Sequence, residues 1–67
     1  MLRGGEQVRR WLNRIRRESR KTQKQVADAT GISRAYYTQI ERGIRRPSVE
    51  TAKRIADYLK FDWTYFF

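Results

Sequence analysis

The stretch ATGISRAYYTQIERG, Ala29 to Gly43, ends one helical pattern and begins another within a few residues, and that break limits the folds open to the chain. Gly31 follows the segment QKQVADAT. A glycine in that position takes the left-handed conformation without a side-chain clash, so it stops the helix and turns the chain. Ser33 then offers its hydroxyl as an N-cap, and the helix it opens runs through RAYYTQIER until Gly43. The earlier helix has its own start signal, because Thr22 and Gln25 stand at capping-box spacing. A turn this tight forbids a side-by-side antiparallel hairpin, and two helices crossing at about 90° to 120° are expected.

The flanking segments read as helices too. Met1 to Gly5 is a loose arm, since Gly4 and Gly5 lose backbone entropy in any regular element. From Glu6 a helical period places Val8, Trp11, Leu12 and Ile15 on one face, with arginines opposite. Pro47 bars helical geometry at Arg46 and leaves Ser48 as a cap for a stripe of Val49, Ala52, Ile55, Ala56 and Leu59. Asp62 caps a last helical turn carrying Trp63, Phe66 and Phe67. No segment has the period of a strand. The expectation is an all-α, compact five-helix domain over residues 6–67, with an arm at 1–5 and a helix-turn-helix at 23–42.

Composition then removes whole classes of function. With 67 residues the chain builds one modest core, so its function sits on the surface or between two copies. It has neither cysteine nor histidine, and its seven acidic residues are scattered. No catalytic set, metal site or cofactor site is expected, because each needs convergent acids, bases, thiolates or imidazoles. No apolar run is long enough to cross a membrane, and the start MLRGGEQVRR lacks the apolar centre of a secretion signal. A soluble, cytoplasmic, nucleoid-associated protein is expected. Sixteen basic residues against seven acidic give a net charge of +9, which favours an extended anionic partner.

The helix that Ser33 opens carries the functional pattern. Tyr37 and Ile40, with Tyr36, form its inward side, leaving Arg34, Ala35, Thr38, Gln39 and Arg42 outward. Such a helix suits a major groove, where arginine pairs with guanine O6 and N7 and glutamine with adenine N6 and N7. The competing reading takes the same residues as an ordinary solvated face. Thr22 and Gln23 at one helix start, and Ser33 and Arg34 at the next, direct backbone N–H groups toward a phosphate chain that also attracts Arg42, Arg45 and Arg46. Arg9, Arg10, Arg14 and Arg17 either reach flanking phosphate or simply keep the chain soluble. Trp11, Trp63, Phe66 and Phe67 read first as core. A WTYFF end is nevertheless more apolar than one small core requires, so Trp63, Phe66 and Phe67 are also expected at a dimer interface.

The ordered segments TQKQVADATGIS, SRAYYTQIERG and RRPSVETAKRIADYL resemble the lambda-repressor-like helix-turn-helix domain of the Cro-type (XRE) family, over Val8 to Phe67. The resemblance implies a supporting helix from Gln23 and a recognition helix from Arg34. By the same resemblance Arg34, Ala35 and Gln39 face bases, Tyr36 and Thr38 touch the groove wall, and Gln23 contacts phosphate and braces Arg34. It also pairs Arg16 with Glu41 as a partly buried ion pair. Three departures stand out: Ser19, Arg20 and Lys21 replace an apolar, glycine, apolar run; Thr30 replaces leucine or valine; and Tyr37 replaces a branched aliphatic. The first makes a wetter, more basic junction, and the Tyr37 ring is expected to fill what Thr30 leaves.

Together these features predict a sequence-specific double-stranded DNA-binding transcriptional regulator, a repressor that binds a roughly two-fold operator as a homodimer. One alternative is an antitoxin-like interaction protein that grips a partner protein through its aromatic C-terminus and autoregulates its operon. A membrane-surface peptide fits the basic first helix but leaves the caps at Thr22, Ser33 and Ser48 without purpose. RNA fits poorly, because side chains do not reach base edges in the deep A-form major groove.

Overall fold

The structure, a computed structural model, describes residues 8–67; the arm assigned to residues 1–5, with Glu6 and Gln7, lies outside the described residues. Four α-helices follow in order among the described residues: α1 (Arg10–Glu18), α2 (Gln23–Thr30), α3 (Arg34–Glu41) and α4 (Val49–Leu59). A 3-10 turn over Trp63–Phe66 ends the chain. The five-helix expectation is therefore corrected, among the described residues, to four helices and a turn. Lys60 leaves α4 in the left-handed conformation, and Asp62 accepts from the Thr64 amide over a segment of only four residues. So short a segment cannot offset the entropy of nucleating an α-helix, and it closes instead with the tighter bonds Tyr65 N–H to Asp62 O and Phe67 N–H to Thr64 O, both 3.0 Å.

Local chemistry sets the remaining helix starts. Thr22 accepts from the Gln25 amide while the Gln25 side chain accepts from the Thr22 amide, closing a capping box. Ser33 and Ser48 accept from Tyr36 and Thr51 amides in the same way. α1 has no side-chain cap. Its first described helical residue is Arg10, because the Arg9 amide donates across the molecule to Glu41 O at 2.8 Å instead of joining a helical ladder. Val8, expected on the inward face, is consequently half exposed.

Turns need left-handed backbone at two informative places. Gly31 has φ of 75° between α2 and α3, as its sequence position demands. Arg20, which stands where the related pattern has glycine, adopts φ of 60° between α1 and α2. A side chain there costs about 1 to 2 kcal/mol. Arg16 holds that junction by donating to Lys21 O at 2.8 Å.

The core gathers Leu12, Val26, Ala27, Tyr37, Ile40, Ala52, Ile55, Leu59 and Phe66, with Trp11, Ile15, Tyr36, Phe61 and Trp63 packed around it. α2 packs on α3 and α4, α1 on α3, and the 3-10 turn on α4. Burying each large aliphatic side chain contributes roughly 1.5 to 3 kcal/mol. Thr30 is buried as well, and its hydroxyl is satisfied by Val26 O at 2.7 Å. Val49, placed on the inward stripe by its spacing, is half exposed at the mouth of α4. The face of a helix follows from periodicity, but how deep its first turn sits does not.

Candidate nucleic-acid interface

The site is built around α3. Its inner side is fixed by Tyr37, Ile40 and Glu41, all buried. Arg34 and Ala35 are exposed on its opposite flank, with Tyr36, Thr38 and Gln39 half-buried along the edges. Arg42, Arg45 and Arg46 follow, all exposed.

The α2 start meets the α3 start here. Arg16, Lys21, Thr22, Gln23, Lys24 and Arg34 line one shallow cleft, which unites four site residues expected from the sequence and adds Lys21 and Lys24. Helix geometry leaves the Gln23 and Lys24 amides without an i−4 carbonyl, as it does those of Arg34 and Ala35. The Thr22 amide, expected to point outward, is taken by Gln25 Oε1 at 2.8 Å, so Thr22 offers the cleft no free backbone donor. Its hydroxyl and that of Ser33 both act as caps.

Gln23 is also placed differently from the resemblance. Its Nε2 donates to Glu41 Oε1 at 3.0 Å and its Oε1 accepts from the Thr38 hydroxyl at 3.1 Å. The brace therefore falls on Thr38 and not on Arg34.

Glu41 is the hub of this arrangement. Arg16 donates through Nε to Oε2 at 2.6 Å and through Nη2 to Oε1 at 3.2 Å, a two-pronged contact between side chains only 12% and 4% exposed. Asn13 Nδ2 at 3.1 Å, Gln23 Nε2 at 3.0 Å and the Tyr37 hydroxyl at 2.8 Å complete the shell. Burial pushes the Glu41 carboxyl up, and the hydrogen bonds from Arg16, Gln23, Tyr37 and Asn13 outweigh it, leaving the group below its usual range. The bond to Glu41 raises Arg16 in turn, and burial first, then Glu41, keeps the Tyr37 phenol protonated. Among the described residues no buried side-chain nitrogen or oxygen lacks a partner. α1, α2 and α3 thus meet on one carboxylate, which fixes how far the outer flank of α3 stands from the rest.

Sequence alone leaves Arg9 between phosphate contact and solubility. Its Nη1 donates to Ile40 O at 2.6 Å and to Arg45 O at 3.1 Å, closing the end of α3 and the loop behind it. Burial first, then the nearby charge of Arg46, lowers its pKa. Neither Arg9 nor Asn13 carries a periodic signal that would mark it for this duty.

The three aromatic residues assigned to a dimer interface separate. Phe66 is 6% exposed, with its ring centre 5.1 Å from that of Trp11, so it belongs to the core of its own chain. Trp63 is half-buried beneath Lys53. Phe67 is 56% exposed, with its ring centre 6.0 Å from that of Trp63, and Tyr65 is 60% exposed. No helix among the described residues is long and apolar enough to cross a membrane.

Comparison with known proteins meets the same geometry. The family model described as helix-turn-helix matches residues 12–66. The chain is 53% identical over 60 residues to the uncharacterized HTH-type transcriptional regulator YqaF of Bacillus subtilis (strain 168), covering 90% of this chain and 79% of that protein. It is 40% identical over 37 residues to the uncharacterized HTH-type transcriptional regulators MT0491 and Rv0474 of two Mycobacterium tuberculosis strains, a span covering 55% of this chain and 26% of each of them. With its paired short helices around a left-handed Gly31 and a match over most of its length, the chain belongs to the helix-turn-helix family of XRE-type, DNA-binding transcriptional regulators.

Proposed function

We propose that the protein is a sequence-specific repressor that lays the outer flank of α3 in the major groove of double-stranded DNA. The supporting observation is the contrast across α3: Tyr37, Ile40 and Glu41 are locked inside while Arg34 and Ala35 stand exposed. In this reading Arg34, Ala35 and Gln39 meet base edges, with Tyr36 and Thr38 at the groove wall. The Gln23 and Lys24 amides, Lys21, Arg42 and Arg46 hold the phosphate chain, and these contacts position the helix without reading sequence.

One recognition helix spans too few base pairs for a unique site, so two copies bind half-sites about one helical turn, roughly 34 Å, apart. Tyr65 and Phe67 supply the outward aromatic area for that pairing. Repression follows from occupancy of the operator.

Selection of bound duplexes from a randomised pool, with mass determination of the complex, tests this directly. A two-fold symmetric site carrying two copies is the expected result. Recovery of no preferred sequence would overturn it. Affinity falls steeply with added salt in either case, since phosphate contacts release counterions whatever the bases.

A further inference from the structure

Arg45 stands in the loop after α3, and its sequence position suggests nothing beyond a phosphate contact. The structure instead holds it against the outward flank of the helix from several sides. Its backbone amide donates to the Gln39 carbonyl at 3.2 Å, next to the Ile44 amide on the same carbonyl at 2.9 Å. Its own carbonyl accepts from Arg9 Nη1 at 3.1 Å. Its guanidinium carbon lies 5.2 Å from the centre of the Tyr36 ring, and Nη1 donates to Gln39 Oε1 at 3.4 Å. A residue held at its backbone amide and carbonyl, with its guanidinium against Tyr36 and Gln39, loses less freedom on binding than an unrestrained arginine.

The chemistry of the contact orients Gln39. A guanidinium has only donors, so the amide must turn its oxygen toward Arg45, which leaves Nε2 as the free end. Glutamine reads adenine by accepting from N6 with its oxygen while donating to N7 with its nitrogen, and here Arg45 takes one of that oxygen's two lone pairs and sets a cationic donor beside the other, which disfavours the approach of a second N–H donor. What the pair offers a groove is a row of donors: Gln39 Nε2 and the unspent N–H groups of Arg45. Guanine presents two acceptors on that edge, N7 and O6, whereas adenine adds a donor at N6 and cytosine presents a donor at N4.

We propose that Arg45 is a specificity-determining residue that converts Gln39 from an adenine reader into a guanine reader. The proposal rests on α3 being the groove-entering helix, and it goes further by naming the base and the residue that selects it. Arg42 and Arg46 flank Arg45 in sequence and remain to hold the backbone.

The test is selection from a pool of duplexes with a randomised core, run with the whole chain as wild type, Arg34→Ala, Gln39→Ala, Arg45→Met, Arg45→Gln and Arg46→Met. Gln39→Ala marks the base position, as the one where preference relaxes. The wild type should favour guanine over adenine there by about tenfold or more, and Arg45→Met should reverse that order. Arg46→Met removes the same charge and should weaken all duplexes alike. Thermal melting of Arg45→Met checks that it folds, and Arg45→Gln offers a second variant of similar length. Adenine favoured by the wild type, or a guanine preference unchanged by both Arg45 substitutions, overturns the assignment while leaving groove reading by α3 intact. If Gln39→Ala and Arg34→Ala relax no position at all, the reading of α3 itself fails.

Discussion

α1 is tied to the rest of the molecule by two unlike faces. On one, Asn13 and Arg16, with Arg9 at the N-cap, reach the end of α3 through hydrogen bonds of set length and direction. On the other, Trp11 meets Phe61, Tyr65 and Phe66 edge-on, with ring centres 5.1 to 5.8 Å apart. The aromatic side supplies burial, which favours contact without prescribing a single geometry. The polar side supplies direction, because a buried carboxylate tolerates few arrangements of its donors. The contrast suggests that the C-terminal aromatics hold the domain together and that Glu41 sets the pose of the recognition helix.

The sharpest way to separate the two faces is to empty each in turn. Glu41→Ala strands the Arg16 charge and should cost about 3 to 5 kcal/mol in chemical denaturation. Phe66→Ala removes a buried ring and should cost a similar 3 to 5 kcal/mol. Only the first should alter how stability responds to acid. Because folding holds Glu41 below its ordinary value of 4.5, its contribution is complete above that pH and disappears as pH falls through the lower folded value. Denaturant midpoints should therefore stay level at neutral pH and fall on acidification below about 4 to 5. A Glu41→Gln chain should show a shallower acid limb, and an identical limb would remove Glu41 from the explanation.

A smaller change tests the part of the hub that departs from the related pattern. Tyr37→Phe deletes one donor to a charged acceptor and should cost about 1.5 to 3 kcal/mol, with the lost bond felt at Glu41. The smallest effect is a gain. Arg20→Gly relieves a left-handed side chain at about 1 to 2 kcal/mol but gives the unfolded chain more freedom, for a net stabilisation of about 0.5 to 1 kcal/mol by thermal melting. No gain would mean that Arg20 makes a contact that offsets its strain.

Much of the fold was legible because its signals are local. The caps at Thr22, Ser33, Ser48 and Asp62 and the left-handed Gly31 each act within a few residues, and a reader of the sequence sees the whole interaction at once. The convergence on Glu41 is different. Arg16 lies 25 residues away, and its pairing with Glu41 entered only through resemblance to a family. Asn13, Arg9 and the Tyr37 hydroxyl carried no sign of their roles, since helical spacing marks a face and says nothing of what another helix brings to it. The same limit explains why the sequence leaves Phe66 both a core and a dimer reading, of which burial favours the core, and why it predicts a fifth helix from four residues that close as a 3-10 turn. For Tyr37, size suggested that it fills space near Thr30; what its hydroxyl reaches is Glu41.

The decisive measurement compares binding of Arg34→Ala, Gln39→Ala and Arg46→Ala to a selected duplex and to a random one at the same salt concentration. Arg34→Ala and Gln39→Ala should each lose about 1 to 3 kcal/mol on the selected duplex and little on the random one, while Arg46→Ala weakens both equally. Losses from Arg34→Ala and Gln39→Ala that are equal on the two duplexes would mean the outer flank of α3 grips phosphate without reading bases.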